Sequence, residues 1–186
     1  MNLPAPTSQW RSRLTLLLIV AMFFSSFGIA AFLFFTGWTP AGSRNFGELL
    51  QPPKPLAGIP LQRADGRPYA WAPDKQRWQL VFVAPANCGE PCARMLDTLH
   101  RVWFSEGRQA DRIELLWFGE VPAQSERFRA LVPMAANPEF VAALPDVARP
   151  DSLPVYLVDP DGFLALRYPP GFNPSGLRKD LGRLLK

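Results

Sequence analysis

The chain has 186 residues, 20 Lys and Arg against 16 Asp and Glu, two cysteines and one histidine. With an apolar N-terminal stretch set aside, this leaves room for one soluble domain of ordinary size. The basic residues are interleaved with acids, which argues against a nucleic-acid tract, and so few Cys and His exclude a zinc site built from several such ligands in one chain.

From Leu14 to Phe35 the sequence runs LTLLLIVAMFFSSFGIAAFLFF without a charge. At about 1.5 Å per residue it is long enough to cross a hydrocarbon core of roughly 30 Å, and longer than the apolar region of a cleaved signal peptide. Trp10 and Trp38 flank it, where indole rings favour the headgroup layer, and Arg11 and Arg13 precede it on a short tail. Positive charge on the N-terminal side predicts a cytoplasmic N-terminus and a translocated C-terminal domain. In a Gram-negative bacterium that means a single-pass inner-membrane protein with its domain in the periplasm. The chain thus divides into a cytoplasmic tail at 1–13, an anchor at 14–36, an extended arm at 37–58 and a domain at 59–186. The arm is proline-rich, with PPKP at Pro52 to Pro55, and its composition predicts a polyproline-like spacer that lifts the domain off the membrane.

Within the domain, Ile59 to Trp71 sets Asp65-Gly66 between two apolar stretches, a hairpin signal because these residues tolerate positive φ. Gln79 to Ala84, QLVFVA, predicts a buried strand, and Ile113 to Phe118, IELLWF, predicts another. Between them Met95, Leu96, Leu99, Val102 and Trp103 recur at helical spacing. A partly helical middle segment follows. VYLVDPDGFLALRY then predicts two strands around a turn at Asp159 to Gly162, and Pro174 to Leu185 a closing helix capped by Asn173. Strands alternating with helices indicate an α/β layered domain with a mixed sheet.

The chemistry of the chain centres on Cys88 and Cys92, where the first central strand feeds a helix. First-turn amides and the helix dipole favour thiolate there. Three uses are open: two thiolates converging on a soft ion such as Cu(I), a dithiol–disulfide couple that passes electrons to a partner, or a static disulfide suited to an oxidising compartment. His100 follows Cys92 by eight residues on the same helix, roughly 12 Å along its axis, too far to share a metal with the pair. Glu90, between the cysteines, is expected to be exposed, and Trp103, Trp117, Phe118 and Met134 to fill the core or lie under the Cys loop. No Ser-His-Asp set, phosphate-cradling glycine loop or paired carboxylates point to hydrolysis.

The C-x-x-x-C loop after an apolar strand, the preceding D-G hairpin, the later Y-L-V-D-P-D-G hairpin and the N-terminal anchor together resemble the Sco/SenC family. Those are membrane-anchored thioredoxin-fold proteins that handle copper during cytochrome c oxidase assembly. The resemblance implies a thioredoxin-like domain preceded by a transmembrane helix, with Cys88 and Cys92 as thiolate ligands of copper. It also implies a partner in a cytochrome oxidase subunit or another copper or thiol protein at the membrane. The histidine that the family supplies before the second hairpin is missing from RPDSLPVYLVDPDG, Arg149 to Gly162, where Asp151 falls about at its place. Leu153-Pro154 is similar to the proline, usually cis, that faces the cysteine loop in thioredoxins, which makes Pro154 a candidate member of the site. These features imply an assembly factor that binds copper or reduces cysteines at the oxidase copper site; a general periplasmic thiol–disulfide oxidoreductase and a non-catalytic scaffold with a structural disulfide are the alternatives.

Overall fold

The computed structural model describes residues 8–37, 45–147 and 153–186, so the expectations placed on Trp38 and Asp151 lie outside the described residues. The chain forms two compact units, Met1–Gly42 and Ser43–Lys186.

Among its described residues the first unit has one helix, α1 (Ser8–Phe35). Its apolar span, Trp10–Phe35, has 26 residues, about 39 Å at helical rise and enough to cross a bilayer core. Its polar side chains serve themselves: the Ser25 and Ser26 hydroxyls donate to the Met22 and Phe23 carbonyls at 2.9 and 2.7 Å. In hydrocarbon, where no water is at hand, such internal partners are required.

The second unit is a six-stranded sheet with helices on it. In chain order its elements are β1 (Glu48–Pro55), the hairpin β2 (Leu61–Gln62) and β3 (Pro68–Tyr69), β4 (Trp78–Val83), α2 (Glu90–Ser105), β5 (Ile113–Phe118), β6 (Leu131–Met134), α3 (Pro138–Ala143), β7 (Val155–Val158), β8 (Phe163–Tyr168) and α4 (Pro174–Leu184). The sheet order is β1-β8-β7-β4-β5-β6, with β4, β5 and β6 parallel and β7, β8 and β1 joined by antiparallel pairings. This is the mixed, thioredoxin-like sheet the sequence predicts.

β4 is central, and its residues alternate between two cores, as period-two side chains on a doubly covered strand must. Leu80 and Phe82 join Leu96, Leu99, Trp117 and Leu177 under α2 and α4. Val81 joins Leu116, Phe118, Phe140 and Met134 on the opposite face. Both predicted turns form: Gly66 and Gly162 each sit at φ 82°, and Asn173 caps α4 by accepting from the Ser175 amide at 2.9 Å.

Two segments differ from expectation. The proline-rich arm is extended, but Glu48–Pro55 is the edge strand β1, paired with β8 in a register interrupted between Leu49 and Lys54. A strand edge needs no amide on its outer side, so proline is tolerated there. The second unit accordingly takes in β1, upstream of Ile59. The middle segment contains α3 as expected, and also β6, which pairs with β5 despite Pro133.

β1 is held from below by one carboxylate. Asp180 on α4 is 2% exposed, and its Oδ2 accepts from the Phe46 amide at 2.8 Å, the Gly47 amide at 3.0 Å and the Tyr168 hydroxyl at 2.9 Å. Contact is close on both sides: a Cβ on Gly47 would meet the Tyr168 ring and one on Gly176 would meet Phe46. Replacing Asp180 with Ala strands three donors, two of them buried, and Asp180→Ala is expected to cost about 2–3 kcal/mol, read as a lower urea midpoint of the full chain in detergent.

All three tyrosines, Tyr69, Tyr156 and Tyr168, are buried. Burial raises each phenol above its ordinary value of 10, Tyr156 to about 12, and the neighbouring carboxylates Glu114 and Asp180 raise Tyr69 and Tyr168 further. The native state therefore keeps its phenolic protons where the unfolded chain loses them, so this contribution is whole below pH 10 and drains away as pH rises through the folded values. Tyrosinate absorbance is expected to stay flat past pH 10 and then rise together with loss of near-ultraviolet ellipticity; gradual ionisation of a folded chain would contradict this.

Candidate functional site

β4 delivers the chain to the C-terminal edge of the parallel strands, where the Ala84 amide still donates to the Phe118 carbonyl at 2.8 Å before the ladder ends. The loop then turns through two left-handed residues, Asn87 at φ 59° and Gly89 at φ 55°. Asn tolerates that region and Gly adopts it freely, which lets the chain bend sharply into α2. Gly89 is the N-cap of α2 and Pro91 lies in its first turn. Proline gives up only an amide that would have had no helical partner, and no side chain caps the turn.

Cys88 and Cys92 lie across this start, joined as a disulfide with Cα atoms 5.6 Å apart. Their environments differ. Cys92 is 1% exposed and belongs to the core under α2 with Phe82, Leu96 and Trp117, whereas Cys88 is partly exposed and packs only at that core's margin. Reduction would place Cys88 at a solvent-facing helix start, where positive potential stabilises thiolate, and leave Cys92 in apolar surroundings that disfavour it.

An open cleft of about 600 Å³ is lined by both cysteines. Pro85 and Asn87 form one wall; Gly119, Glu120 and Pro122, from the loop after β5, form the other. Gly119 has φ 100°, and a Cβ there would approach the Ala84 carbonyl to 3.0 Å, so this wall sits tight against the end of β4. Trp117 fixes it from beneath: its indole packs tilted against Phe82 with ring centres 4.4 Å apart and donates to the Glu120 carbonyl at 3.1 Å. Trp117, expected in the core or under the Cys loop, is in the core; the second wall has its sequence signal in the Gly119-Glu-Val-Pro122 punctuation after a strand.

Pro154 is buried directly before β7, and the antiparallel register that sets Val155 opposite Phe82 carries it alongside Val83, one residue from the Cys loop. Leu153 shares a depression of about 260 Å³ with Pro91 and Met95 on the far side of the α2 start. The cis expectation is not met: among the described residues the only cis peptide bond precedes Pro52, so Leu153–Pro154 is trans.

The remaining candidates fall away from the pair. Glu90 is exposed and bound to Arg94 one turn on, which offsets its charge near Cys88. His100 is mostly covered, stacked on Phe128 at 4.4 Å with Glu126 at 3.7 Å, in a separate depression. Met134 is buried in the opposite core. Once reduced, Cys88 and Cys92 would offer two soft sulfurs that suit Cu(I), but among the described residues no His, Asp or Glu completes a set of three with them.

Residues 78–186 match the model of the family described as the transmembrane-like, thioredoxin-like, C-terminal domain. No curated protein sequence matches the chain. Among solved structures the chain is similar to BsSco, a member of the Sco family of cytochrome c oxidase assembly proteins in which a disulfide switch was identified. The TM-score is 0.54 at 14% identity, covering 75% of this chain and 98% of that one. Apo Sco1 from Thermus thermophilus gives 0.52 at 18% identity, over 78% and 99% of the two chains. Yeast Sco1 with copper bound gives 0.51 at 15% identity, over 76% and 93%. At these identities the likeness is one of fold. The chain thus belongs to the transmembrane-like, thioredoxin-like C-terminal domain family, and it carries the fold of the Sco proteins behind an N-terminal helix long enough to span a membrane.

Proposed function

We propose that this protein is a membrane-anchored thiol–disulfide module that reduces cysteines of a partner at the membrane, the copper-site cysteines of a respiratory oxidase subunit being the partner class that the Sco-like fold favours. The observation that carries this reading is the asymmetry of the pair: one sulfur open to a cleft at a helix start, its mate in the core. In the reduced state the Cys88 thiolate attacks a partner disulfide, forming a mixed disulfide and releasing one partner thiolate. Cys92 then loses its proton and attacks the Cys88 sulfur, which releases the second partner thiolate. Two electrons have moved from the pair to the partner, and Cys88–Cys92 is left as the disulfide. A thiol reductant on the same side restores the pair. Pro154, beside the end of β4, would shape the groove into which the partner segment settles. The N-terminal arginines and the apolar span favour a domain on the periplasmic side of a bacterial inner membrane.

A second reading, carriage of Cu(I) by the reduced pair, is favoured by the convergence of both sulfurs on one helix start. A two-sulfur site binds through both thiolates alike, whereas exchange begins at Cys88.

The test compares Cys88→Ser and Cys92→Ser in the full chain, in membranes, after mild reduction. Exchange predicts that Cys92→Ser accumulates mixed disulfides with partner proteins and that Cys88→Ser does not. Loss of Cu(I) binding to an equal degree in both variants, with no mixed disulfide in either, would favour copper carriage. A wild-type disulfide that resists mild reductant would contradict both readings.

A further inference from the structure

The outward face of α4 is basic. Arg178, Lys179, Arg183 and Lys186 are exposed, and the helix's one acidic residue, Asp180, points inward, where it is 2% exposed and accepts two main-chain amides and the Tyr168 hydroxyl. Lys179 and Arg183 are one turn apart on the helix at i and i+4, and Lys186 follows two residues past its end. Arg183 leans on the buried Asp180 at 3.4 Å; Glu106, half-buried, lies near Arg178. Beyond the helix end Arg112 donates to the Leu185 carbonyl at 2.6 Å, bringing one more cation to that end of the helix. Phe46, 52% exposed, sits beneath Lys179, whose Nζ is 5.2 Å from the ring centre.

This face is also where the chain enters the folded unit. Phe46 and Gly47 are bound to Asp180 and packed on Gly176 and Tyr168. Only residues 38–44 separate Asn45 from the last described residue after α1, and seven residues reach at most about 25 Å when fully extended. A cationic stripe with an exposed aromatic ring is suited to an anionic headgroup layer, where basic side chains find phosphate and aromatic rings favour the interface. We propose that the α4 face, with Phe46, docks on the anionic lipid surface of the bilayer that holds the protein's own anchor. The proposal rests on α1 as the anchor, not on the chemistry of the cysteines. The docked domain is held against the membrane by charge as well as by its tether, and this hold weakens with salt because exposed charges are screened beyond about 10 Å at 0.1 M.

The chain has four lysines, Lys54, Lys75, Lys179 and Lys186, of which only the last two belong to this face, so it carries its own control. The full chain is placed in nanodiscs of phosphatidylcholine alone or of phosphatidylcholine mixed with phosphatidylglycerol. Each lysine's reductive methylation by formaldehyde is then followed by mass spectrometry. Docking predicts several-fold slower labelling of Lys179 and Lys186 in the anionic discs, unchanged Lys54 and Lys75, loss of the protection at high salt, and weaker protection of Lys186 in Arg178→Gln. Equal labelling of Lys179 and Lys186 in the two kinds of disc overturns the proposal and leaves an acidic protein as the occupant of this face. Protection spread evenly over all four lysines overturns it too. A chain that fails to stay with the discs overturns the anchor, and the proposal with it.

Discussion

The pairing of β4 with β5 on one side and β7 on the other is the constraint on which the rest of the second unit depends. A strand buried on both faces and hydrogen-bonded along both edges cannot slip without turning Leu80 and Phe82 out of one core and Val81 out of the other. Its end is therefore fixed, and the Cys loop starts from a fixed point. β5 ends beside it and sends Gly119 and Pro122 to the opposite wall of the cleft, while β7 begins beside it and brings Pro154. The two walls of the cleft and the start of β7 are thus positioned by one ladder.

That ladder also sets the difference between the sulfurs. Cys88 precedes the N-cap of α2 and Cys92 lies within the first turn, so the same helix start carries one sulfur at the surface and turns the other inward onto Phe82 and Trp117. A disulfide meant only to fasten a loop has no need of such an asymmetry. A couple that exchanges thiols does, since one sulfur must meet the partner and the other must wait out of its reach.

Most of this arrangement is legible in the sequence where local chemistry decides the structure. QLVFVA and IELLWF are apolar but for Gln79 and Glu114 because both faces are covered; Asp65-Gly66, Asp159–Gly162 and Asn173 mark turns and a cap through their own backbone preferences. What is not legible depends on partners distant in the chain. β1 reads as a proline-rich spacer because nothing in ELLQPPKP reveals that β8 will pair with it, although Glu48 meets the buried Arg167 at 2.6 Å, 119 residues away. β6 is hidden by Pro133, whose carbonyl accepts from Ala64 of the hairpin. The clasp of Asp180 on Phe46 and Gly47 spans 134 and 133 residues, and no local pattern announces it. At the site, the two cysteines and their helix start are readable; the second wall and the stacking of His100 on Phe128 require the fold.

The central claim is that Cys88–Cys92 is an exchange couple and not a fastening, and the reduction potential of the pair in the full-length, membrane-inserted chain tests it most directly. Equilibration in glutathione redox buffers is expected to give a midpoint within the range of exchange-active couples, about −270 to −120 mV. A midpoint below about −300 mV, where structural disulfides lie, would contradict the account and leave the pair as a static brace for the start of α2.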